Sequence, residues 1–194
     1  GYPATACVSI NEQVVHGIPG ERELAEGDIV SIDLGAKLGG YFGDQAVTVA
    51  VGQTDDEVAR LMKVTRESLH KGIASARDGN RLSDISGAVQ DWVEQHGFSV
   101  VRQFVGHGIG RKLHEDPPVP NYVPVERNPR LRKGMVLAIE PMVNLGVADV
   151  VVAADGWTAS AADGLASAHF EHVIGITDGE PDILTMTEDE LGYV

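Results

Sequence analysis

Hydrophobic positions along the chain change period several times, and each change marks an element. From Gly27 to Val51 two apolar runs flank the turn KLGG, the pattern of a β-hairpin. A turn centred on Leu38 and Gly39 sets Asp33 directly opposite Asp44 on one face of that hairpin. The next stretch, TDDEVARLMKVTRESLHKGIASAR, switches to helical spacing. Val58, Leu61, Met62, Thr65, Leu69 and Ile73 trace one face, and Thr54 and Glu57 hold capping-box spacing. A second helix is predicted over SDISGAVQDWVEQHG, with Ser83 as N-cap, Gly97 as the stop, and a core face of Ile85, Val89, Trp92 and Val93. Upstream, ACVSINEQVVHG reads as a strand ending at the turn IPGE. Downstream, FSVVRQF, GMVLAIEPMVN, VADVVVA and ASAHFEHVIGI read as strands, and GHGIGRKLHEDPPVPNYVP as a long ordered loop. Strand, paired helices and a strand-rich tail make an α+β pattern.

No Pro-, Gly- or Ser-rich linker divides the chain, and no short repeat recurs. One long-period echo does. EGDIVSIDLG aligns with KGMVLAIEP at an offset of 107, pairing Gly27 with Gly134, Ile32 with Ile139, and Asp33 with Glu140. An apolar strand carrying a carboxylate therefore occurs twice.

Composition narrows the class. A chain of 194 residues, 43% apolar and 23% charged, is of globular type, and a domain of that size buries roughly 70% of its unfolded surface. No apolar run approaches the ~20 residues that span a bilayer. The net charge of −14, from 15 basic and 29 acidic residues, argues against binding nucleic acid or anionic membrane, both of which need a positive surface. A single cysteine, Cys7, excludes an internal disulfide.

Four acidic residues interrupt apolar strands: Asp33, Asp44, Glu140 and Glu171. A carboxylate in a strand ordinarily faces solvent or caps a turn, but Asp and Glu are disfavoured there and rarely buried unpaired. Like charges across a hairpin destabilise it. A cation between them converts that repulsion into chelation. His107, held between glycines in GHGIG, adds a nitrogen donor. The glycines lack the strand–helix setting of a dinucleotide fingerprint and suit close backbone approach instead. Oxygen donors with one imidazole suit Mn, Fe(II), Co or Zn and do not make a thiolate zinc site. Two divalent ions bridged by carboxylates form a hydrolytic device.

Taken in order, NEQVVHGIP, IDLGAKLGGYFGD, GHGIGRKLHEDP, AIEPM and HFEHVIGIT resemble the type I methionine aminopeptidases, across nearly all 194 residues. That resemblance implies the pita-bread α+β fold, two pseudo-symmetric halves with a curved, mainly antiparallel sheet and outer helices, as a single catalytic domain over 1–194. It implies two divalent ions held by Asp33, Asp44, His107, Glu140 and Glu171, with Asp44 and Glu171 bridging. It makes Glu140 the proton shuttle, and His16 and His114 the histidines beside the scissile amide. Tyr2, Cys7, Leu113 and Trp157 would build the methionine pocket, with Leu113 where relatives commonly carry an aromatic ring. Gly35 stands where some members place a hydroxyl residue.

The implied reaction is removal of the N-terminal methionine from peptides and nascent chains, including those at the ribosome, by a cytoplasmic monomer. Family members usually carry several dozen further residues ahead of the GYP segment, and their packing elements are expected to be missing here. Two other readings share the ligand set or the fold. One is an Xaa-Pro aminopeptidase, disfavoured by the short interval from Glu140 to Glu171. The other is a non-catalytic peptide- or protein-binding module, in which metal ligands are typically lost.

Overall fold

The computed structural model describes residues 1–124 and 128–187. The chain opens with β1 (Cys7–Ile10) and β2 (Gln13–Val15), then the long hairpin of β3 (Ile29–Leu38) and β4 (Tyr41–Ala50). Helices α1 (Asp56–Ser75) and α2 (Leu82–Gln95) follow, then β5 (Ser99–Val100), β6 (Gly106–Gly108), β7 (Glu115–Val119), β8 (Val136–Ile139) and β9 (Met142–Asn144). The tail carries β10 (Val150–Val152), β11 (Ala159–Ala161), β12 (Ser167–His169), β13 (Glu171–Gly175) and β14 (Asp182–Ile183). The main sheet runs β1-β3-β4-β13-β8-β6-β7, with β14 added beside β13. Two three-stranded sheets, β10-β11-β2 and β12-β9-β5, flank it.

The two helices form as their apolar spacing predicts. Leu61, Val64, Leu69 and Ile73 of α1 and Ile85 and Val93 of α2 are buried against Leu137, Ile139, Val143 and Ile174 of the sheets. Each such side chain contributes about 1.5–3 kcal/mol by leaving water. Val58 and Met62, expected on the α1 face, are only half-buried, as is Trp92 of α2. The caps differ from expectation. Helix α1 starts after Asp55 with no side-chain cap, because the Thr54 hydroxyl donates instead to the Gly27 carbonyl at 3.2 Å. Helix α2 starts after Arg81, whose N–H donates to Asp84 Oδ2 at 2.7 Å. Ser83 lies inside the helix, and its hydroxyl accepts from Asn128 at 2.8 Å. Gly97, φ +82°, does end the second helix.

The hairpin register also differs. Gly39 and Gly40 are the turn residues, with φ of +59° and +91°, the backbone that a two-residue type I′ turn needs. Leu38 therefore faces Tyr41, Asp33 faces Ala46, and Asp44 faces Gly35. Asp33 and Asp44 share a face but stand diagonally, two residues apart, rather than directly opposite. This spacing relieves part of the like-charge repulsion.

The echo at offset 107 has a structural counterpart. β3 and β8 flank the central β4–β13 pair on either side, and both follow a glycine of positive φ, Gly27 at +95° and Gly134 at +89°. The helices cover the half of the sheet around β8 and β13. On β3 and β4, by contrast, Leu34, Leu38 and Val49 are 47%, 88% and 42% exposed.

Three predicted strands are broken, each for a local reason. ACVSINEQVV turns at Asn11, φ +54°. GMVLAIEPMVN splits into β8 and β9 at Glu140–Pro141, since proline has no N–H to give a ladder. ASAHFEHVIGI splits into β12 and β13 at Phe170, whose N–H reaches the Pro141 carbonyl at 3.4 Å. FSVVRQF keeps only β5 as strand, and the long loop contains β6 and β7.

Candidate metal centre and adjoining cavity

Sheet register delivers the acidic side chains to one face. Cys7 faces Asp33, Asp33 faces Ala46, and Ala46 faces Glu171, one continuous row across β1, β3, β4 and β13. His172 faces Ile139, so one more step along that pair sets Glu140 across from Glu171. Partners in antiparallel strands share a face, and Asp44, two residues from Ala46, shares it too. His107 faces Ala138, on the same side as Glu140. Alanines at 46 and 138 leave room between the acids.

The seat of His107 explains its glycine neighbours. A Cβ on Gly106 would lie 2.4 Å from the Ala138 carbonyl oxygen, and one on Gly108 2.3 Å from that of Asp116. Strand β6 is threaded between β7 and β8 too tightly for any side chain on that side. His107 Nδ1 sits 2.9 Å from the Gly108 carbonyl. A carbonyl only accepts, so the proton is on Nδ1 and the Nε2 lone pair points at the acids. Nε2 lies 3.8 Å from Asp44 Oδ2 and 3.6 Å from Glu140 Oε1. One donor atom each from Asp44, His107 and Glu171 falls within 4.8 Å of the other two.

The electrostatics are those of acids crowded together in a buried site. Burial, then the charge of Asp44, pushes the Asp33 carboxyl up to about 6, while a hydrogen bond from Cys7 pulls the other way. Burial raises Asp44 as well. Glu140 and Glu171 are raised well above the usual range, first by burial and then by neighbouring carboxylates. Burial lowers His107. Among the described residues, histidines are the only basic groups in ion-pair distance of these acids. Glu171 Oε1 is buried without a hydrogen-bond partner. An orphaned carboxylate oxygen in a ring of acids is stable only when protonated or beside a cation, so these donors fit divalent metal.

Beside the acids opens a cavity of about 250 Å³. Asp33 and Asp44 form one wall, and Tyr2, Cys7, His16, Leu113, His114 and Trp157 are among the residues that form the others. Every residue expected in a substrate pocket therefore lines this one space. Tyr2 packs edge-on against Trp157 at 5.3 Å between ring centroids, and its hydroxyl donates to the Gly17 carbonyl at 2.7 Å. His16 stands at φ +59°, a left-handed backbone costing on the order of 1–3 kcal/mol for a non-glycine residue. Burial lowers its pKa. The His114 ring meets that of His107 at 4.3 Å, which ties the cavity to the cluster of acids. Leu113 Cδ1 would touch a Cβ on Gly35 at 3.2 Å, so the wall is leucine against bare backbone. Burial raises the Cys7 thiol to about 11.

Sequence reasoning passed over three neighbours. Thr5 also lines the cavity, and Phe104 packs edge-on to His16 at 5.3 Å. His169 is 1% exposed, with Nε2 3.7 Å from Glu140 Oε2. Its only signal is parity, two residues before Glu171 in SAHFEH.

Residues 1–178 match metallopeptidase family M24. The chain is 56% identical over 185 residues to methionine aminopeptidase 1 of Bacillus subtilis, covering 95% of this chain and 75% of that one. It is 54% identical over 186 residues to the methionine aminopeptidase of Clostridium perfringens, covering 96% and 75%. The methionine aminopeptidase structure from Rickettsia prowazekii superposes with a TM-score of 0.93 at 42% identity, covering 96% and 75%. That from Thermotoga maritima gives 0.91 at 54%, covering 94% and 74%. The prolidase of Pyrococcus horikoshii, at 24% identity and a TM-score of 0.76, shares the fold alone. The curved sheet with helices on one side is the pita-bread arrangement of these relatives.

Proposed function

The chain belongs to metallopeptidase family M24, and on that premise we propose that it is a metal-dependent aminopeptidase removing N-terminal methionine from peptides and nascent chains. Two divalent ions would be held by Asp33, Asp44, His107, Glu140 and Glu171. Asp44 and Glu171 come from the two central strands, which supports their being the ligands that both ions would share. When bound, such ions supply Lewis-acid polarisation and a water acidic enough to react near neutral pH.

The chain's own residues do the rest. Glu140, its carboxyl raised by burial, takes the proton of the attacking water and delivers it to the leaving amine. His114, at the junction of acids and cavity, donates to the scissile carbonyl as negative charge develops there. His16, fixed on its left-handed turn, contacts the amide of the next residue. Tyr2, Cys7, Leu113 and Trp157 enclose the methionine side chain. A space of about 250 Å³ sits below the usual range for drug-sized ligands and suits one amino-acid side chain. Asp33 lines that cavity, which supports a role in which a cation held there would bind the free amino group. Endopeptidase action is thereby disfavoured.

The observation that carries this reading is the convergence of the acids and His107 beside an aromatic-walled cavity. Hydrolysis of Met-Ala and Ala-Pro peptides by the Mn-, Co-, Fe(II)- or Zn-loaded chain tests it. Met-Ala is expected to be cut faster, and His107→Ala to lose both turnover and bound metal. Faster cleavage of Ala-Pro would replace the proposal with an Xaa-Pro peptidase. Absence of bound metal after reconstitution would replace it with a binding module.

A further inference from the structure

We infer that His169 is a positioning residue for Glu140, holding its carboxylate from the side opposite His107. Each oxygen of Glu140 faces an imidazole: Oε1 lies 3.6 Å from His107 Nε2 and Oε2 lies 3.7 Å from His169 Nε2. The two rings serve different ends. His107 spends its Nδ1 proton on the Gly108 carbonyl and presents a lone pair. His169 Nε2 is buried without a hydrogen bond, and towards the carboxylate oxygen 3.7 Å away it is favourable only as an N–H donor. One ring is thus suited to a cation and the other to the anion that holds it.

A positioning group must itself be fixed, and His169 is. Its N–H donates to Thr48 Oγ1 at 2.9 Å, and its carbonyl accepts from the same hydroxyl at 2.7 Å. With the Thr48 proton so used, the Ser31 hydroxyl, 2.8 Å away, donates to Thr48 Oγ1. His169 faces Met142 in the β12–β9 pair, just past the break that carries Glu140. The Glu140 carbonyl accepts from Asn121 Nδ2 at 2.9 Å. Backbone on both sides is therefore pinned, and the remaining freedom is rotation of the Glu140 carboxylate. The His169 N–H restrains that rotation.

Two donor-free variants, His169→Leu and His169→Met, are compared with His169→Gln, which keeps an amide N–H. Partners that orient a metal ligand are worth about 10–100-fold in affinity or activity. In the donor-free variants, Mn(II) affinity by calorimetry is expected to fall about tenfold, and kcat on a Met-Ala peptide about 10–100-fold with KM little changed. His169→Gln is expected to restore both. The methionine variant carries the comparison should the leucine variant not fold. Wild-type Mn(II) affinity and kcat in a folded donor-free variant, or a glutamine variant as impaired as leucine, would overturn the assignment. The kinetic half rests on the aminopeptidase proposal. If the unaltered chain cuts no Met-Ala peptide, that proposal fails, and the calorimetric comparison still decides the role of His169.

Discussion

Replacing Asp33 by asparagine in the metal-stripped protein should raise its stability at neutral pH, although it removes a proposed metal donor. The Asp33 carboxyl is held at about 6 in the fold against 3.8 for an ordinary aspartate. A group whose folded pKa is raised binds more protons folded than unfolded, so its contribution is full below the unfolded value and is lost as pH rises through the folded one. About two units at 1.36 kcal/mol each give a loss of about 3 kcal/mol by pH 7.5, and under about 1 kcal/mol at pH 4. Urea unfolding in excess chelator at both pH values reads this directly. With a slope of about 3 kcal/mol per molar urea, the midpoint of Asp33→Asn relative to wild type should move up by roughly 1 M between pH 4 and pH 7.5. Using the difference between proteins removes the opposite slope of the surface acids Asp155 and Asp163, whose carboxyls backbone N–H groups hold low. Parallel pH profiles for the two proteins would refute the claim that burial, with the charge of Asp44 beside it, holds the Asp33 carboxyl high.

Gly108→Ala should destabilise the protein by about 3 kcal/mol or more and strip bound metal, because its Cβ would lie 2.3 Å from the Asp116 carbonyl oxygen. Chemical unfolding with metal analysis checks both, and a wild-type midpoint would contradict the close threading of β6. Cys7 should react slowly with iodoacetamide at pH 8 in the metal-free protein, with its rate still rising towards pH 11, since burial and Asp33 hold its thiol near that value. A rate typical of free cysteine at pH 8 would place the thiol outside the cavity wall. Saturating divalent metal at about 100 times its Kd should add about 2.7 kcal/mol to the unfolding free energy, and an unchanged midpoint would deny the site to metal.

The helices were readable because their apolar residues repeat at helical spacing over several turns, and Leu61, Leu69, Ile73, Ile85 and Val93 are buried accordingly. Caps were not, since Thr54 and Ser83 found partners far along the chain, at Gly27 and Asn128. The hairpin was legible as a hairpin, but its register turned on which residues take positive φ. Gly39 and Gly40 do, which moved Asp33 from Asp44 to Ala46. Even so, both acids stayed on one face, because the shift was by two. The proposed donors stood out in sequence as carboxylates in apolar surroundings. His169 did not, for its significance depends on the strand break at Phe170 and on the approach of its Nε2 to Glu140 Oε2, which only the tertiary pairing reveals. The β7 segment was hidden by its two prolines, Pro117 and Pro118, which mask strand character.

The most direct test is a crystal of the chain grown with Mn(II), measured where the metal scatters anomalously. Two peaks between Asp44 and Glu171, one beside Asp33 and the other beside His107 and Glu140, each bonded to those oxygen or nitrogen donors, are the predicted result. Peaks elsewhere, or acids turned from one another around ordered water, would contradict it.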